Sequence, residues 1–167
     1  FYKETSKLLQ EKFVDSYEIE TRIIISYVLK MDLKEFILYK DSKEISTRDQ
    51  KKVLKLIKRR LKGRGIFTLT EKKEFYGENF FVNRDVLIPR HETELIIDQI
   101  LLYFDPSNIY TILELGTGSG VLAITLSQKY SGSVVTAIDI SSKALKVAKI
   151  NLKKHSIDRN KIKLLKY

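Results

Sequence analysis

Three glycines stand within five residues, at positions 116, 118 and 120, in the stretch YTILELGTGSG that runs from Tyr110 to Gly120. The chain has only seven glycines, and each one held in place loses more backbone freedom than any other residue. An apolar run, Tyr110–Leu115, leads into the cluster, and a run of helical character, Val121–Lys129, leads out of it. The cluster therefore marks a tight strand-to-helix turn. The alternation continues downstream: Val134–Ile138 reads as a strand, Ser142–Lys154 as a helix and Ile162–Leu165 as a strand. Strands and helices alternating over about 55 residues predict a parallel α/β sheet with right-handed crossovers. On such a sheet the glycine turn falls at the carboxyl edge of the strands, where ligands bind, with the positive end of the following helix facing the ligand.

The spacing narrows the ligand. A phosphate-cradling P-loop requires G-x-x-x-x-G-K-[ST], and no lysine stands at the required place; position 121 is Val. The dinucleotide fingerprint G-x-G-x-x-G asks for glycine at 121, whereas the third glycine here comes one residue early, at 120. Two carboxylates flank the loop: Glu114 two residues before it, and Asp139 at the end of the next strand in VVTAIDIS. A carboxylate suits a pair of vicinal hydroxyls because it accepts both hydrogen bonds with charge assistance. The pattern Glu114-x-Gly116-x-Gly118-x-Gly120, with Asp139 downstream, resembles the first motif of the class I S-adenosylmethionine-dependent methyltransferases. That resemblance implies S-adenosyl-L-methionine as cofactor, held by Glu114, Gly116, Thr117, Gly118, Ser119, Gly120, Asp139 and Ile140. Asp139 would take the ribose hydroxyls, Ile140 would touch the adenine, and Glu114 would lie near the methionine end. A simple strand-end surface charge is the alternative for Glu114.

Upstream, periodicity predicts helices at 3–14, 18–30, 32–39 and 47–62. Their expected apolar faces are Leu8, Leu9 and Phe13; Ile19, Ile23, Tyr27 and Val28; and Val53, Leu54, Ile57 and Leu61. Asp32 and either Ser46 or Thr47 are candidate N-caps, and Gly63 and Gly65 end the fourth helix. Ile66–Pro89 is rich in β-branched and aromatic residues and predicts two or three short strands. Phe75, Tyr76, Phe80 and Phe81 are expected to pack a domain joint, with lining of a ligand cleft as the alternative. Arg90–Phe104 predicts an amphipathic helix with Leu95, Ile96, Ile97, Ile100, Leu101 and Phe104 on its apolar side and Thr93 or His91 as cap. The expected fold class is α/β: an N-terminal helical bundle over 1–65, a β-hairpin linker over 66–89, and the first half of a Rossmann-like sheet over 90–167.

A narrower resemblance follows from three stretches: EFYGENFFVNRDVLIPRHETELIID (Glu74–Asp98), ILELGTGSGVLAITLS (Ile112–Ser127) and AIDISSKALKVAKIN (Ala137–Asn151). Together they are similar to the family that methylates the glutamine side-chain amide of peptide chain release factors. The stretch Leu87-Ile88-Pro89-Arg90-x-x-Thr93-Glu94 is the most family-specific piece. The resemblance implies a helical substrate-recognition domain, a hairpin linker and a methyltransferase domain, with release factors as protein substrates. Arg90, Thr93 and Glu94 are candidates for the substrate-pocket wall, the alternative for Thr93 and Glu94 being helix capping. His91 stands where the family often has proline. The family's Asn-Pro-Pro-Tyr motif, which holds the target amide, does not occur in these 167 residues. The chain is accordingly expected to be the N-terminal part of an enzyme, with no catalytic residue of its own named. The alternatives are a methyltransferase of the same fold acting on RNA or another protein, and a non-catalytic binding fragment.

Charge and composition bear on partners. The net charge is +10, and Arg48–Arg64 alone carries nine basic residues against one acidic. That run reads either as a contact for RNA or a ribosomal particle, or as a solvated helix face. The chain has no cysteine, which excludes disulfides and thiolate metal sites, and no His/Asp/Glu spacing suggests a metal. No apolar run approaches the length of a membrane span, and Phe1–Phe13 is charged throughout, unlike a secretory signal. A cytoplasmic monomer without membrane contact is expected.

Overall fold

The computed structural model describes residues 1–12, 15–39, 44–158 and 160–167. They form two compact units, Phe1–Thr70 and Glu71–Tyr167.

The first unit is helical: α1 (Tyr2–Gln10), α2 (Tyr17–Leu29), α3 (Leu33–Tyr39), α4 (Thr47–Leu61) and α5 (Ile66–Thr70). Its helix ends are set by local chemistry. Asp32 Oδ1 accepts the Glu35 N–H at 2.6 Å and starts α3, and Ser46 Oγ accepts the Asp49 N–H at 3.2 Å and starts α4. At the other end of α4, Gly63 takes the left-handed conformation (φ +87°). Its N–H donates to the Arg60 carbonyl and the Arg64 N–H to the Arg59 carbonyl, a Schellman closure that few residues other than glycine tolerate. The core gathers Leu9, Ile24, Ile25, Phe36, Val53, Ile57 and Ile66. Arg60 Nε and Nη2 grip Glu20 at 2.7 and 2.9 Å, a bidentate pair between α4 and α2 in which both side chains are largely withdrawn from water.

Several expected faces are corrected here. On α2 the buried apolar positions are Ile24 and Ile25, while Ile19 and Tyr27 are exposed and Ile23 and Val28 are half-buried. The helix packs against α1, α3, α4 and α5, so its apolar surface is not a single stripe. On α4 Leu56 joins the core and Leu54 does not, because the buried edge follows Val53, Leu56, Ile57 and Arg60. On α1 Leu9 is buried and Leu8 exposed; Phe13 lies outside the described residues. Residues 66–70, expected as strand, are α5. Their β-branched composition is overridden by packing against α2 and α4, and the Thr70 hydroxyl donates to the Ile66 carbonyl one turn back. The first compact unit runs through Thr70.

The second unit begins with an antiparallel hairpin, β1 (Lys72–Phe75) and β2 (Glu78–Phe81), in register Phe75 with Glu78. Its two-residue turn, Tyr76-Gly77, has φ of +50° and +78°, the type I′ geometry that matches strand twist. A single 3₁₀ turn, His91–Thr93, leads into α6 (Glu94–Tyr103). Then come β3 (Thr111–Leu115), α7 (Val121–Lys129), β4 (Val134–Asp139), α8 (Ser142–Lys154) and β5 (Ile162–Lys166). The three strands are parallel in the order β3-β4-β5, with Leu115 beside Ile138 and Asp139 beside Lys166. The architecture is therefore a helical region, a small hairpin and a three-stranded parallel sheet with helices, as the alternating pattern implied.

Phe75 and Phe80 are fully buried, edge to face, in this unit's own core with Ile97, Ile124, Val135 and Ala137, so the core is their place. On α6 only Ile97 is fully buried; Ile100 and Leu101 pack partly, while Leu95, Ile96 and Phe104 are exposed. Strand β3, expected to be buried, exposes Leu113 and Leu115, because they share with Thr136, Ile138, Lys163 and Leu165 the less covered face of the sheet, while Val135, Ala137 and Ile162 on the other face are buried. No described helix is long and apolar enough to cross a membrane.

Candidate functional site

The glycine turn joins β3 to α7. All three of its glycines are left-handed, with φ of +75° at Gly116, +57° at Gly118 and +82° at Gly120. An L side chain at any of them would be strained by about 1–2 kcal/mol. Around Gly116 there is open space, and an added Cβ at Gly118 would meet only its own loop's Gly116 carbonyl at 3.9 Å. Gly120 differs: a Cβ there would sit 3.3 Å from that of Ala148 on α8. Gly120 thus serves close packing of the loop against α8, whereas Gly116 and Gly118 leave an unfilled backbone surface that a ligand can approach.

The loop is fastened to the end of β4. Gly116 and Thr117 N–H both donate to the Ile138 carbonyl, at 2.8 and 2.9 Å, and Gly120 N–H donates to the Thr117 carbonyl at 2.8 Å. Gly118 N–H donates to Asp139 Oδ2 at 2.8 Å, and the other carboxylate oxygen accepts the Ser141 N–H at 2.8 Å. Ser141 in turn caps α8 by accepting the Ala144 N–H. Four backbone donors of the loop are therefore committed within the protein. What remains is a preformed surface with a carboxylate at its edge, not the array of free N–H groups that a phosphate requires. Each oxygen of Asp139 keeps acceptor capacity beyond its one backbone bond, which is what a pair of hydroxyls needs. Ile140, next in sequence, is 78% exposed and presents an apolar surface beside that carboxylate.

Glu114 lies under the loop. Its Oε2 accepts the Thr117 hydroxyl at 2.8 Å. Burial pushes its carboxyl above the usual carboxylate range; the Thr117 hydroxyl and the Ala123 N–H in the first turn of α7 pull it back, and the charge of Asp139 adds to the rise. A carboxylate held this way gains by the arrival of a cation. Glu114, Thr117, Gly118 and Asp139 thus form one hydrogen-bonded and electrostatically linked group. Ser119 is buried, and its carbonyl accepts from Asn151 Nδ2 at 2.8 Å.

Arg90, Thr93 and Glu94 stand apart from that group, at the start of α6, and no hydrogen bond among the described residues joins them to the loop. Arg90 is exposed. Neither Thr93 nor His91 caps α6: Thr93 has helical backbone angles and its side chain makes no capping bond, and His91 sits in the 3₁₀ turn. Glu94 instead accepts the Tyr76 N–H at 2.9 Å and pairs with His91 Nδ1 at 3.1 Å. It therefore steadies the left-handed turn of the hairpin, with Asp98 taking the Tyr76 hydroxyl at 2.9 Å.

Asn151 is the residue that sequence reasoning did not single out. It is fully buried on α8, accepts the Phe81 N–H at 2.7 Å, and donates to the carbonyls of Phe81 and Ser119 at 2.9 and 2.8 Å. One side chain thereby ties the hairpin, α8 and the glycine loop. Its signal was an amide standing in register with Ala144, Val147 and Ala148, the buried face of the helix.

With that geometry in view, comparison with known proteins is informative. Residues 1–66 match the family described as the PrmC N-terminal domain, and residues 106–166 match a methyltransferase domain. A protein of Dictyoglomus turgidum named release factor glutamine methyltransferase is 36% identical over 143 residues, covering 86% of this chain and 50% of the relative. Its namesake from Coxiella burnetii is 35% identical over 139 residues, covering 83% of this chain and 50% of the relative. A bifunctional methyltransferase of Rickettsia bellii is 33% identical over 183 residues, 94% of this chain and 33% of the relative. The chain spans about half the length of the release factor glutamine methyltransferases it matches, or less in the bifunctional proteins.

Proposed function

We propose that this chain, which belongs to the release factor glutamine methyltransferase family, binds S-adenosylmethionine on its glycine loop for methylation of the glutamine side-chain amide of peptide chain release factors. The observation that carries the cofactor assignment is the closure of Gly118 N–H on Asp139. It leaves a loop poor in free donors but edged by two carboxylates, which suits an uncharged ribose and a cationic amino-acid and sulfonium end. It does not suit a pyrophosphate. Asp139 would hold the ribose hydroxyls, Ile140 would lie against the adenine, and Glu114, Thr117 and the backbone of Gly116–Gly120 would hold the methionine end. The cofactor supplies an activated methyl group. The substrate assignment rests on the names of the relatives and on the LIPRHETE stretch; Arg90 and Thr93 are assigned to the pocket wall, and Glu94 acts through the hairpin turn it steadies. An amide nitrogen is a weak nucleophile, so rate would come from positioning it and from acceptors on its N–H bonds. The expected setting is the cytoplasm, where release factors act.

Calorimetry with S-adenosylmethionine tests the site. Asp139→Ala should weaken binding at least tenfold, the scale of one lost charge-assisted contact; unchanged binding would remove the cofactor assignment. Transfer of labelled methyl from S-adenosylmethionine by the protein that carries this chain should mark release factor and not bulk RNA. Label confined to RNA would move the reading to an RNA methyltransferase of the same fold.

A further inference from the structure

The outward face of α4 has no role in the fold or in the proposed chemistry. Of the basic residues on this helix, Lys52 pairs with Asp49 at 2.6 Å and Arg60 with Glu20. Lys51, Lys55, Lys58, Arg59 and Lys62 are exposed and have no ion-pair partner among the described residues. They line, with the half-buried Leu54, a shallow surface groove of about 390 Å³. Lys51, Lys55, Lys58 and Lys62 follow the i, i+4, i+7, i+11 spacing, so they form one row, about 16 Å long at 1.5 Å per residue. Like charges at i, i+4 repel and cost the helix a few tenths of a kcal/mol per pair. The row therefore disfavours the helix that carries it until an anion is present.

We infer that this row on α4 is a docking surface for the phosphate backbone of single-stranded RNA. The chemistry of the face chooses among anionic partners. Protein–protein interface cores are depleted in lysine and rich in aromatic and apolar anchors, and here the only apolar lining residue is Leu54. The row also lacks the asparagine and glutamine side chains that read adenine edges in a duplex groove, and it carries no aromatic platform for a base. What it offers is point charges, one per helical turn along a single line, which follows a single strand of phosphates without sequence preference. The choice of RNA over DNA rests on the release-factor reading; the affinity of the face for a phosphate backbone does not.

The test is fluorescence anisotropy of a labelled oligouridine with the whole chain at several salt concentrations, without cofactor. Four lysines on phosphates contribute a slope of about −3 in log K against log salt, from roughly −0.7 per contact on a single strand. The variant K51Q/K55Q/K58Q/K62Q should lose that much slope, while the all-arginine version of the same four positions should keep it. Glutamine has nearly the helix propensity of lysine and all four side chains are exposed, so circular dichroism should report an unchanged helix content. The variant K146Q/K149Q/K153Q, on the exposed face of α8, should leave the slope intact. Three results overturn the inference: an unchanged slope in the α4 variant, a slope carried by the α8 set instead, or displacement of the RNA by polyglutamate of equal charge as readily as by unlabelled oligouridine. Tighter binding of DNA than RNA of the same length overturns the choice of RNA. None of these readouts involves methyl transfer, so they fail or succeed independently of the proposed reaction.

Discussion

Replacing Asn151 with leucine should be among the most damaging single changes in the second unit. Leucine repeats the branching of asparagine with bulkier methyl groups and can make none of its hydrogen bonds. The outer edge of β2 would lose its partner: the Phe81 N–H and carbonyl both turn away from β1 and are met by the one amide, which stands in for a missing strand. The Ser119 carbonyl would be orphaned as well. A buried backbone group left without a partner costs about 1–3 kcal/mol. Three such groups, with some relief as water reaches the hairpin edge, give about 3–5 kcal/mol, a large fraction of the 5–15 kcal/mol that holds a typical domain. For a domain near 100 residues, with about 4–8 °C per kcal/mol, the melting midpoint should fall by more than about 12 °C. Urea unfolding followed by circular dichroism gives the free energy, and hydrogen exchange at the Phe81 amide gives the mechanism, since that N–H should lose its protection. A loss below about 1 kcal/mol with Phe81 still protected would refute the reasoning. The loop should feel the change too, because Ser119 sits between Gly118 and Gly120, so cofactor affinity should fall even in the fraction that remains folded.

Other consequences are more local. Gly120→Ala adds a Cβ 3.3 Å from Ala148 at a φ of +82°, and should cost about 2–3 kcal/mol in urea unfolding, more than Gly116→Ala, where space is open. Glu20→Gln breaks the bidentate grip of Arg60 in the helical unit and should destabilise that unit by about 2–4 kcal/mol by thermal melting, whereas Glu18→Gln, on a more exposed pair, should cost less than about 1 kcal/mol. His155 stacks on Phe80 with ring centroids 4.4 Å apart, and burial holds its imidazole pKa below the ordinary 6.5, with Glu78 only partly opposing. The unfolded chain therefore takes up the proton first. This contribution to stability is present above pH 6.5 and declines as pH falls below it, by at most about 1.4 kcal/mol per pH unit. His155→Phe should flatten that dependence in melts between pH 5 and 7, and an equal slope in both proteins would count against it.

The pattern of what could be read from the chain follows the sequence distance over which each feature is decided. The cap at Asp32, the cap at Ser46 as one of two candidates, the glycine closure at Gly63 and the tight glycine turn of the loop are all settled within a few residues, and each was visible in the letters alone. The strand–helix alternation from Tyr110 onward is likewise a matter of local period. Where a choice depended on partners elsewhere, the pattern misled. Ile23, Ile24 and Ile25 stand in a row, so periodicity could not say which of them faces inward on a helix surrounded by four others. Ile66–Thr70 carries a strand-like composition and becomes helix because α2 and α4 offer it a surface.

The polar fastenings of the site belong to the same non-local class. Glu94 reaches the hairpin turn across 18 residues, Asp139 reaches Gly118 across 21, and Asn151 reaches Ser119 across 32 and Phe81 across 70. Of these, Asn151 was not foreseen, Glu94 was a candidate for the pocket wall or a helix cap, and Asp139 was foreseen for a different duty, the holding of ribose. The two duties are compatible because each carboxylate oxygen accepts more than one hydrogen bond. They are also linked: the bond from Gly118 fixes the orientation in which Asp139 meets its hydroxyls, and the hydroxyls in turn hold the carboxylate in the orientation that accepts from Gly118. A ligand bound at Asp139 should therefore protect the Gly118 amide from hydrogen exchange beyond its protection in the free protein, and Asp139→Asn should abolish that gain. Equal protection of Gly118 with and without S-adenosylmethionine would mean that the loop and the ribose site are held independently.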